Sequence, residues 1–416
     1  MERRTPSLSR LARVALALAV ALAAPAGSAR AAEPAKGEPS APAQPETPAT
    51  ELPRETAVET SLGRTGAGAG NTFGGYGELT YSAPSNGQAV VDLRRFVLYF
   101  GHDYNERIRF YSEVEVEHAV SSATDRGEVE IEQAYLDGLL HRKLNLRGGV
   151  ILMPVGIVNV YHEPPSFNGV DRPDVDTFVI PTTWREPGIG AFGELAEGLR
   201  YQLYFVNGLN ANGFTAESAI AEGHQEAQLA NAGVFGGVAR LDYEPVLGTV
   251  FGVSAYGGTS RTPPLPTTIG RVPVTLLEAD ARTRVGAFSA RAEVAFLFIG
   301  DAGALSRELA GVNPDAAPIA SRSQGAYVEV AYDLLTRFAP RTGQGLTTFV
   351  RFDYADTQAE VPAGFTARTE FRRYSEVMGL VYRPIPQIAL KADYRFRQFG
   401  DHTTAQELAS AITWLF

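Results

Sequence analysis

The sequence predicts an all-β fold: a transmembrane antiparallel β-barrel of about 16 strands, with short periplasmic turns and long external loops. Three observations lead to this prediction. The chain begins with an export signal, most of it alternates apolar and polar residues, and it ends on a strand that stops at Phe416. Every apolar run beyond the export signal is short or interrupted by charge, so an entry into the membrane requires a closed barrel.

Residues 1–31 predict a cleaved signal peptide. Arginines near the start precede an unbroken apolar stretch over residues 14–24, and small residues at 29–31 offer a cleavage site. A helix that spans a bilayer needs about 20 apolar residues, so this stretch is too short to act as a retained anchor. The bacterial outer membrane is the predicted destination.

Residues 32–71 predict a disordered periplasmic linker. The segment is rich in Ala, Pro, Glu and Thr, and it lacks the apolar periodicity needed to bury a core. The character of the sequence changes at Thr72, and residues 72–416 are predicted to form the transmembrane β-barrel domain.

Composition agrees with one large exported barrel. The chain of 416 residues contains 42 Gly, 17 Tyr and 22 Phe, and only 20% of its residues are charged. It has no Cys, so no disulfide framework holds it together. Asp and Glu number 47 against 37 Lys and Arg, for a net charge of −10. This balance argues against a nucleic-acid partner.

Alternation of apolar and charged residues defines the strands. Between residues 107 and 117, Ile108, Phe110 and Val114 alternate with Arg109 and Glu113. A soluble sandwich shows the same period, but its strands average about 5 or 6 residues, whereas many here reach about 10. Sixteen segments follow this pattern, at 72–81, 90–101, 106–118, 128–138, 144–153, 187–195, 198–207, 235–244, 248–257, 273–282, 286–299, 324–334, 345–355, 373–382, 387–398 and 406–416.

The connections between these segments alternate in length. Those after even-numbered segments are mostly tight turns, apart from one long connection at 336–344, and those after odd-numbered segments are mostly longer. This asymmetry is typical of outer-membrane barrels with both termini in the periplasm. An even count near sixteen leaves a lumen wide enough for water.

The last strand carries one apolar face, formed by Leu408, Ile412, Trp414 and Phe416. In a membrane strand such a face meets outer-membrane lipid, and its terminal aromatic residues lie in the interfacial girdle. A final strand ending on Phe416 also predicts recognition by the barrel-assembly machinery.

The longest connection, residues 154–186, is the predicted constriction loop. It contains Trp184, Tyr161 and Phe167, which suit packing inside the barrel. A loop of this length in a compact protein is disordered or functional. The alternative is an external loop whose charges only keep it soluble. The charged residues predicted to form the constriction are Glu163, Asp171, Arg172, Asp174, Asp176, Arg185 and Glu186.

The polar faces of the strands supply a predicted pore lining. Carboxylates at the end of the third segment face those at the start of the fourth, which predicts an acidic wall near the external mouth. Close carboxylates also suit Ca²⁺, but a solvated acidic face is the favoured interpretation, and no metal site is predicted. The predicted pore-lining residues are Arg95, Arg107, Arg109, Glu113, Glu115, Glu117, Glu128, Glu130, Glu132, Arg240, Arg291, Arg351, Arg395 and Arg397.

Several short motifs resemble the phosphate-selective porin O and P family. They are DLRRF at 92–96, EIEQAYLD at 130–137, LRGG at 146–149, MPVG at 153–156 and YFVNG at 204–208. The resemblance covers roughly residues 73–416 and implies a sixteen-stranded, usually trimeric channel, in some members selective for phosphate. The sequence departs from the selective members because Lys143 and Lys391 are the only lysines of the barrel domain and form no central cluster.

Together these observations predict an outer-membrane porin that passes small hydrophilic solutes or ions and is general or weakly cation-favouring. One alternative is an anion- or phosphate-selective channel, and another is a non-conducting structural or adhesive barrel. An enzyme is disfavoured because neither a Gly-x-Ser-x-Gly elbow nor a His-Glu-x-x-His motif occurs. No catalytic residue and no cofactor is predicted. A homotrimer is expected, since the small residues Gly236, Gly237 and Ala239 suit a flat contact wall.

Overall fold

The computed structural model describes residues 70–120, 127–261, 270–313 and 315–416. The predicted signal peptide, 1–31, lies outside the described residues, and so does the predicted linker up to residue 69. The first strand begins at Gly70 rather than at Thr72.

Sixteen long strands form one closed antiparallel barrel, which confirms the predicted fold class. A seventeenth strand, β8, has two residues and pairs in parallel with the end of β10. The strands are β1 (Gly70–Pro84), β2 (Val90–Asp103), β3 (Ile108–Glu117), β4 (Val129–His141), β5 (Leu144–Leu152), β6 (Arg185–Ala196), β7 (Leu199–Asn207), β8 (Leu209–Asn210), β9 (Phe235–Val246), β10 (Thr249–Arg261), β11 (Val272–Val285), β12 (Phe288–Ile299), β13 (Arg322–Asp333), β14 (Gly345–Glu360), β15 (Arg372–Ile385), β16 (Ile388–Phe399) and β17 (Thr404–Leu415).

The barrel closes where β1 pairs with β17. Tyr76 lies opposite Leu415 in this ladder. The amide of Gly75 donates to the carbonyl of Phe416, and the amide of Phe416 donates to the carbonyl of Gly75, each at 2.9 Å. The terminal residue therefore completes the hydrogen-bonded ring, and no long strand is left with an unpaired edge.

The two faces of the wall differ as the alternation predicts. On the outer face large apolar side chains are exposed, among them Phe205 at 55% and Ile131 at 52%. The outer face of β17 likewise exposes Leu408 and Phe416. The inner face carries charged side chains, such as Arg351 at 1% exposure. Apolar surface thus faces outward and polar surface inward, as in a membrane barrel with a polar interior.

One end of the barrel has tight turns and the other has the longer connections. The turn end contains residues 104–107, 142–143, 197–198, 247–248, 286–287, 334–344 and 386–387. Among the described residues, the loop end contains 85–89, 118–120, 127–128, 153–184, 208–234, 270–271, 300–313, 315–321, 361–371 and 400–403. Short and longer connections thus alternate along the chain, as the sequence predicts.

Helices occur only in connections within the described residues, and strand periodicity did not predict them. They are α1 (Val175–Phe178), α2 (Ala302–Val312) and α3 (Leu334–Phe338), with 3-10 turns at Pro164–Ser166, Ala211–Gly213, Ala221–Gly223 and Thr369–Phe371. Among the described residues, none of the helices has the length and apolar character needed to cross a membrane.

Gly149 allows β4 and β5 to approach closely. Its φ is +143°, and a Cβ atom there would lie 2.2 Å from the carbonyl oxygen of Ala134 and 2.6 Å from Cα of Tyr135. Both neighbours belong to the backbone, so they cannot rotate away. Gly148 differs, because a Cβ atom there would meet its nearest neighbour, a side-chain atom of Ile189, at an ordinary 3.7 Å.

We expect Gly149→Ala to destabilise the folded barrel by about 1–3 kcal/mol, because the ladder between β4 and β5 must shift. Gly148→Ala is the matched control and should leave the unfolding midpoint close to that of the wild type. Urea unfolding in detergent micelles, followed by tryptophan fluorescence, measures the difference. Equal midpoints for the two variants would contradict the tight contact.

Candidate functional site: the lumen segment

Residues 153–184, named here the lumen segment, connect β5 to β6 and fold into the barrel. Met153 and Trp184, at its two ends, are wholly buried, and Phe167 in its middle is 5% exposed. The Trp184 ring packs edge-on against Tyr256 of β10, with 4.8 Å between ring centroids. The segment contacts inward-facing side chains on most of the wall, so it crosses the lumen rather than extending from the loop end.

Basic side chains of the wall hold the backbone of the lumen segment. Lys391 Nζ donates to the carbonyls of Pro164 and Gly169, at 2.6 and 2.8 Å. Arg291 donates to the carbonyl of Ser166 at 2.7 Å. Charge-assisted hydrogen bonds of this kind are about twice as strong as neutral ones. These cations are therefore committed to positioning the segment.

Two aspartates of the lumen segment bind arginines of the wall. Asp171 lies 2.7 Å from Arg94 and 3.0 Å from Arg395, and Asp174 lies 2.7 Å from Arg397. Although burial opposes it, the guanidinium groups of Arg395 and Arg94 hold the pKa of the Asp171 carboxyl well below its usual range. The segment is thus pinned to β2 and β16 by ionised pairs.

Arg172 joins the two arms of the lumen segment to each other. Its guanidinium donates to the Thr183 hydroxyl at 3.0 Å and to the His162 carbonyl at 3.4 Å. Burial, together with the nearby charge of Arg95, lowers the pKa of Arg172 to about 10. Arg172 therefore fixes the shape of the segment and does not face open water.

Asp176 is buried in α1 beside a second carboxylate. It and Glu293 both lie against Gly156, whose φ is +77° and where a Cβ atom would sit 2.5 Å from Glu293 Oε1 and 3.1 Å from Asp176 Oδ1. Neither carboxylate oxygen of Asp176 has a hydrogen-bond partner among the described residues. Burial accordingly raises the pKa of Asp176 to about 7, against the opposing charge of Arg172.

Arg185 and Glu186 lie at the start of β6 rather than in the connection where they were predicted. Arg185 contacts Glu130 of β4 and lies 2.8 Å from Glu226 of the 208–234 loop. Glu186 accepts a hydrogen bond from the Gln225 amide at 3.0 Å. These two residues tie the 208–234 loop to the wall. The remaining predicted constriction residues, Glu163, Asp171, Arg172, Asp174 and Asp176, lie in the lumen segment.

Neighbouring carboxylates offset the positive charge of most of the inward-facing arginines that were predicted to line the pore. Arg351 lies 2.9 Å from Asp353. Arg240 lies 2.6 Å from Asp280 and 2.9 Å from Asp242. Both guanidinium groups are buried, so little of their charge reaches the lumen. The structure places the other predicted pore arginines as follows: Arg95 pairs with Glu78 and Glu115, Arg109 pairs with Asp103, Arg395 and Arg397 pair with the lumen segment, and Arg107 is exposed in the turn between β2 and β3.

The predicted acidic wall exists, but most of it is covered. Glu115 pairs with Glu130 across β3 and β4, and a register irregularity follows Glu113. Glu113, Glu115 and Glu132 are at most 2% exposed, so the interpretation of a solvated acidic face is wrong for these three. His162 of the lumen segment lies over them. Of the other predicted members, Glu128 is exposed and Glu117 and Glu130 are half-buried.

His162 is the residue of this site that the sequence did not single out. Its Nε2 lies 3.6 Å from Glu132 Oε2 and 3.7 Å from Glu113 Oε2. Burial by itself would lower the pKa of His162, but the charges of Glu132, Glu113 and Glu163 raise it above its ordinary value. Strand alternation gave no signal for this contact, because His162 comes from a segment without periodicity.

Two groups of like charges lie at opposite ends of the barrel. At the loop end Glu128 is exposed and Glu117 is half-buried. At the turn end Arg383 lies close enough to Arg284 and Arg291 for their positive charges to repel. Glu117 and Glu128 thus form an acidic pair at the loop end, and Arg284, Arg291 and Arg383 form a basic cluster at the turn end, named here the basic inner vestibule.

Comparison with known proteins identifies a relative by sequence. No family model matches the chain. An uncharacterized protein of Aquifex aeolicus (strain VF5) is 35% identical over 360 residues, which cover 83% of this chain and 80% of that protein. The chain belongs to the same family as this Aquifex protein. The family relationship extends over most of both chains, and hence over most of the barrel.

Solved structures share the fold at low sequence identity. The anion-selective porin from Comamonas acidovorans has a TM-score of 0.55 at 10% identity, over 84% of this chain and 100% of that chain. OmpF of Salmonella typhi has a TM-score of 0.56 at 13% identity, over 84% and 98%. The outer membrane channel DcaP of Acinetobacter baumannii has a TM-score of 0.53 at 13% identity, over 84% and 98%.

These likenesses confirm the fold of outer-membrane porins. Membership of the phosphate-selective O and P family stays a prediction.

We expect Lys391→Met to loosen the lumen segment, because the carbonyls of Pro164 and Gly169 lose their buried donor. A loss of about 1.5–3 kcal/mol corresponds to a roughly 10- to 100-fold drop in hydrogen-exchange protection of the segment. Lys143→Met, in an exposed turn, is the matched control. Exchange measured by mass spectrometry on the folded barrel in detergent reports the change. Unaltered protection in Lys391→Met would show that the segment is held by other contacts.

Asp176 should make the stability of the barrel depend on pH. Its pKa is raised in the folded state. The contribution of this carboxyl to the free energy of unfolding is therefore fully present below about pH 4 and is lost as the pH rises through about 7. The midpoint of urea unfolding of Asp176→Asn should equal that of the wild type at pH 4 and should be higher than that of the wild type at pH 8. Asp315→Asn, which changes an exposed carboxyl, should follow the wild type at both values. A wild-type advantage at pH 8 would refute the buried, neutral Asp176.

Proposed function

We propose that the protein is an outer-membrane porin, a channel for passive diffusion of small hydrophilic solutes or ions, general or weakly cation-favouring. The observation that carries the proposal is a closed barrel of 16 strands whose outer face is apolar, whose inner face is charged and whose lumen is narrowed by an inward-folded segment. An exposed apolar wall suits lipid and a charged interior suits water. The lumen segment limits passage to small solutes.

The charge distribution supports a general or cation-favouring pore. Buried carboxylates compensate Arg240 and Arg351, and Lys391 donates to backbone carbonyls. These cations are therefore poorly placed to bind a passing phosphate. Glu128 and Glu117 at the loop end attract cations to the entrance, because a narrow mouth with charge of one sign concentrates counter-ions.

The basic inner vestibule favours a second candidate, an anion-selective channel. Arg284 is exposed and Arg291 and Arg383 are half-buried around the turn end of the lumen. Guanidinium groups this close to one another attract small anions. If the rate of passage is set at the vestibule rather than at the outer mouth, anion preference results. The vestibule lacks the lysine cluster of the phosphate-selective channels that the sequence resembles.

Membrane partners follow from the same proposal. The outer face of the wall would contact outer-membrane lipid, and the strand that ends at Phe416 would be the part recognised by the barrel-assembly machinery. Small outward positions of β9, Gly237 and Ala239, support a flat contact between barrels in a homotrimer. Native mass spectrometry of the protein extracted in mild detergent tests the trimer.

Conductance in planar bilayers under a KCl gradient tests the function. We expect stable open steps and a reversal potential that leans toward cations. Glu128→Gln should shift this potential toward anions, because it removes an exposed charge at the entrance. Arg284→Gln should shift it toward cations, because it removes an exposed charge from the vestibule.

The other outcomes decide between the alternatives. Anion preference with block by added phosphate would favour the anion-selective channel. Absence of conductance in protein that shows the heat-dependent gel mobility of a folded barrel would favour a plugged, structural barrel. Asp315→Asn controls for a general effect of removing an exposed carboxyl.

A further inference from the structure

We propose that His162, Glu113 and Glu132 bind a divalent transition-metal ion such as Zn²⁺, and that this ion fastens the lumen segment to β3 and β4. One ligand comes from the segment and two come from the wall. The ion would thus link the constriction to the barrel at a place where the chain has no covalent cross-link, since it contains no Cys.

The spacing of the three ligand atoms fits an ion. One nitrogen of His162 and one oxygen from each carboxylate all lie within 4.8 Å of one another. The two separations from His162 Nε2, 3.6 and 3.7 Å, exceed hydrogen-bond length. Ligand atoms about 2.0–2.2 Å from a common ion are themselves about 3.3–3.7 Å apart. The two separations from His162 therefore match those between ligands of one ion.

The lack of a hydrogen bond to the buried imidazole is a second sign of a missing ligand. His162 is 1% exposed, and neither of its ring nitrogens has a hydrogen-bond partner among the described residues. Oxygen Oε1 of Glu132 is likewise buried without a hydrogen-bond partner. Polar atoms buried in this way cost free energy unless something binds them. A cation at the centre of the cluster would engage Nε2 and both carboxylates at once.

Neighbouring side chains hold the two carboxylates in place. Glu132 Oε2 accepts a hydrogen bond from the Tyr76 hydroxyl at 3.1 Å. Glu113 accepts from the Tyr111 hydroxyl and from Gln133 Nε2, each at 2.6 Å. Donors that orient the ligating carboxylates are typical of metal sites. In each carboxylate, Oε2, the oxygen nearest to His162, already accepts one hydrogen bond, so it would bind the ion through its other lone pair.

Carboxyl groups outnumber guanidinium groups around the cluster. Glu115 and Glu163 are the other carboxyl groups that act on Glu113 and Glu132. Arg95 acts on Glu132 and Glu115 from the wall, and Arg172 lies near Glu132 in the segment. A metal ion would bind these carboxyl groups in place of the protons that they hold.

The ligand chemistry selects the class of metal. Ca²⁺ takes six to eight oxygen ligands, whereas an imidazole nitrogen with two carboxylates suits Zn²⁺ and related ions. The competing arrangement is a protonated His162 that forms ion pairs with Glu113 and Glu132 and binds no metal.

Titration of the full mature chain with Zn²⁺ tests the site. Protein in detergent is first stripped with a chelator, and calorimetry at pH 7.5 should then show one Zn²⁺ bound per chain. His162→Gln and Glu132→Gln should each weaken this binding by about 100-fold or more, because each removes a ligand. His118→Gln is the matched control: His118 pairs with Asp92 at 2.8 Å on the exposed surface, and its loss should leave the titration unchanged.

Spectroscopy on the wild type provides a second readout. X-ray absorption at the zinc edge should show one imidazole nitrogen and oxygen neighbours at about 2.0–2.2 Å. No binding, binding that His162→Gln leaves unchanged, or a spectrum without imidazole would overturn the proposal and leave the protonated ion pair. The spectrum decides the question even if a variant fails to fold. Because binding is measured in detergent, the result is independent of conductance.

Discussion

Closure of the strand ladder between β1 and β17 is the constraint on which the rest of the structure depends. The reciprocal hydrogen bonds of Gly75 and Phe416 complete the ring, so every long strand has two neighbours. In a lipid environment this closure satisfies the backbone without water, and it also defines an inside. Because the barrel is closed, the charged faces of the strands lie opposite one another across the lumen.

That interior is organised as a set of mutually compensating charges around the lumen segment. Basic side chains on β11 to β16 engage its carbonyls and aspartates, whereas the carboxylates of β3 and β4 face His162 on its other side. Carboxylates of β12 and β16 also hold the segment, since Glu293 accepts from the Ile157 amide and Asp393 from the Val170 amide. The interior therefore buries charges of both signs close together, as in the pairs of Arg240 with Asp280 and of Arg351 with Asp353.

The sequence predicts the barrel more completely than its interior. Period-2 alternation follows from the wall itself, so it predicts the strands and also that carboxylates of β3 face those of β4, where the structure pairs Glu115 with Glu130. The role of Lys391 as a backbone donor cannot, because its partners lie 227 and 222 residues away in a segment without periodicity. Helix α2 escaped prediction for a related reason: its sequence lies in a connection, where strand alternation carries no information.

The long sequence separation between the lumen segment and β16 has a consequence for assembly. The segment follows β5, yet its anchors at Lys391, Asp393 and Arg395 belong to the penultimate strand. It cannot reach its final place until nearly the whole wall has been threaded and brought round. A half-assembled barrel would therefore hold an unfilled core. The segment would dock only after the wall is complete, so the narrow passage would be among the last features to form.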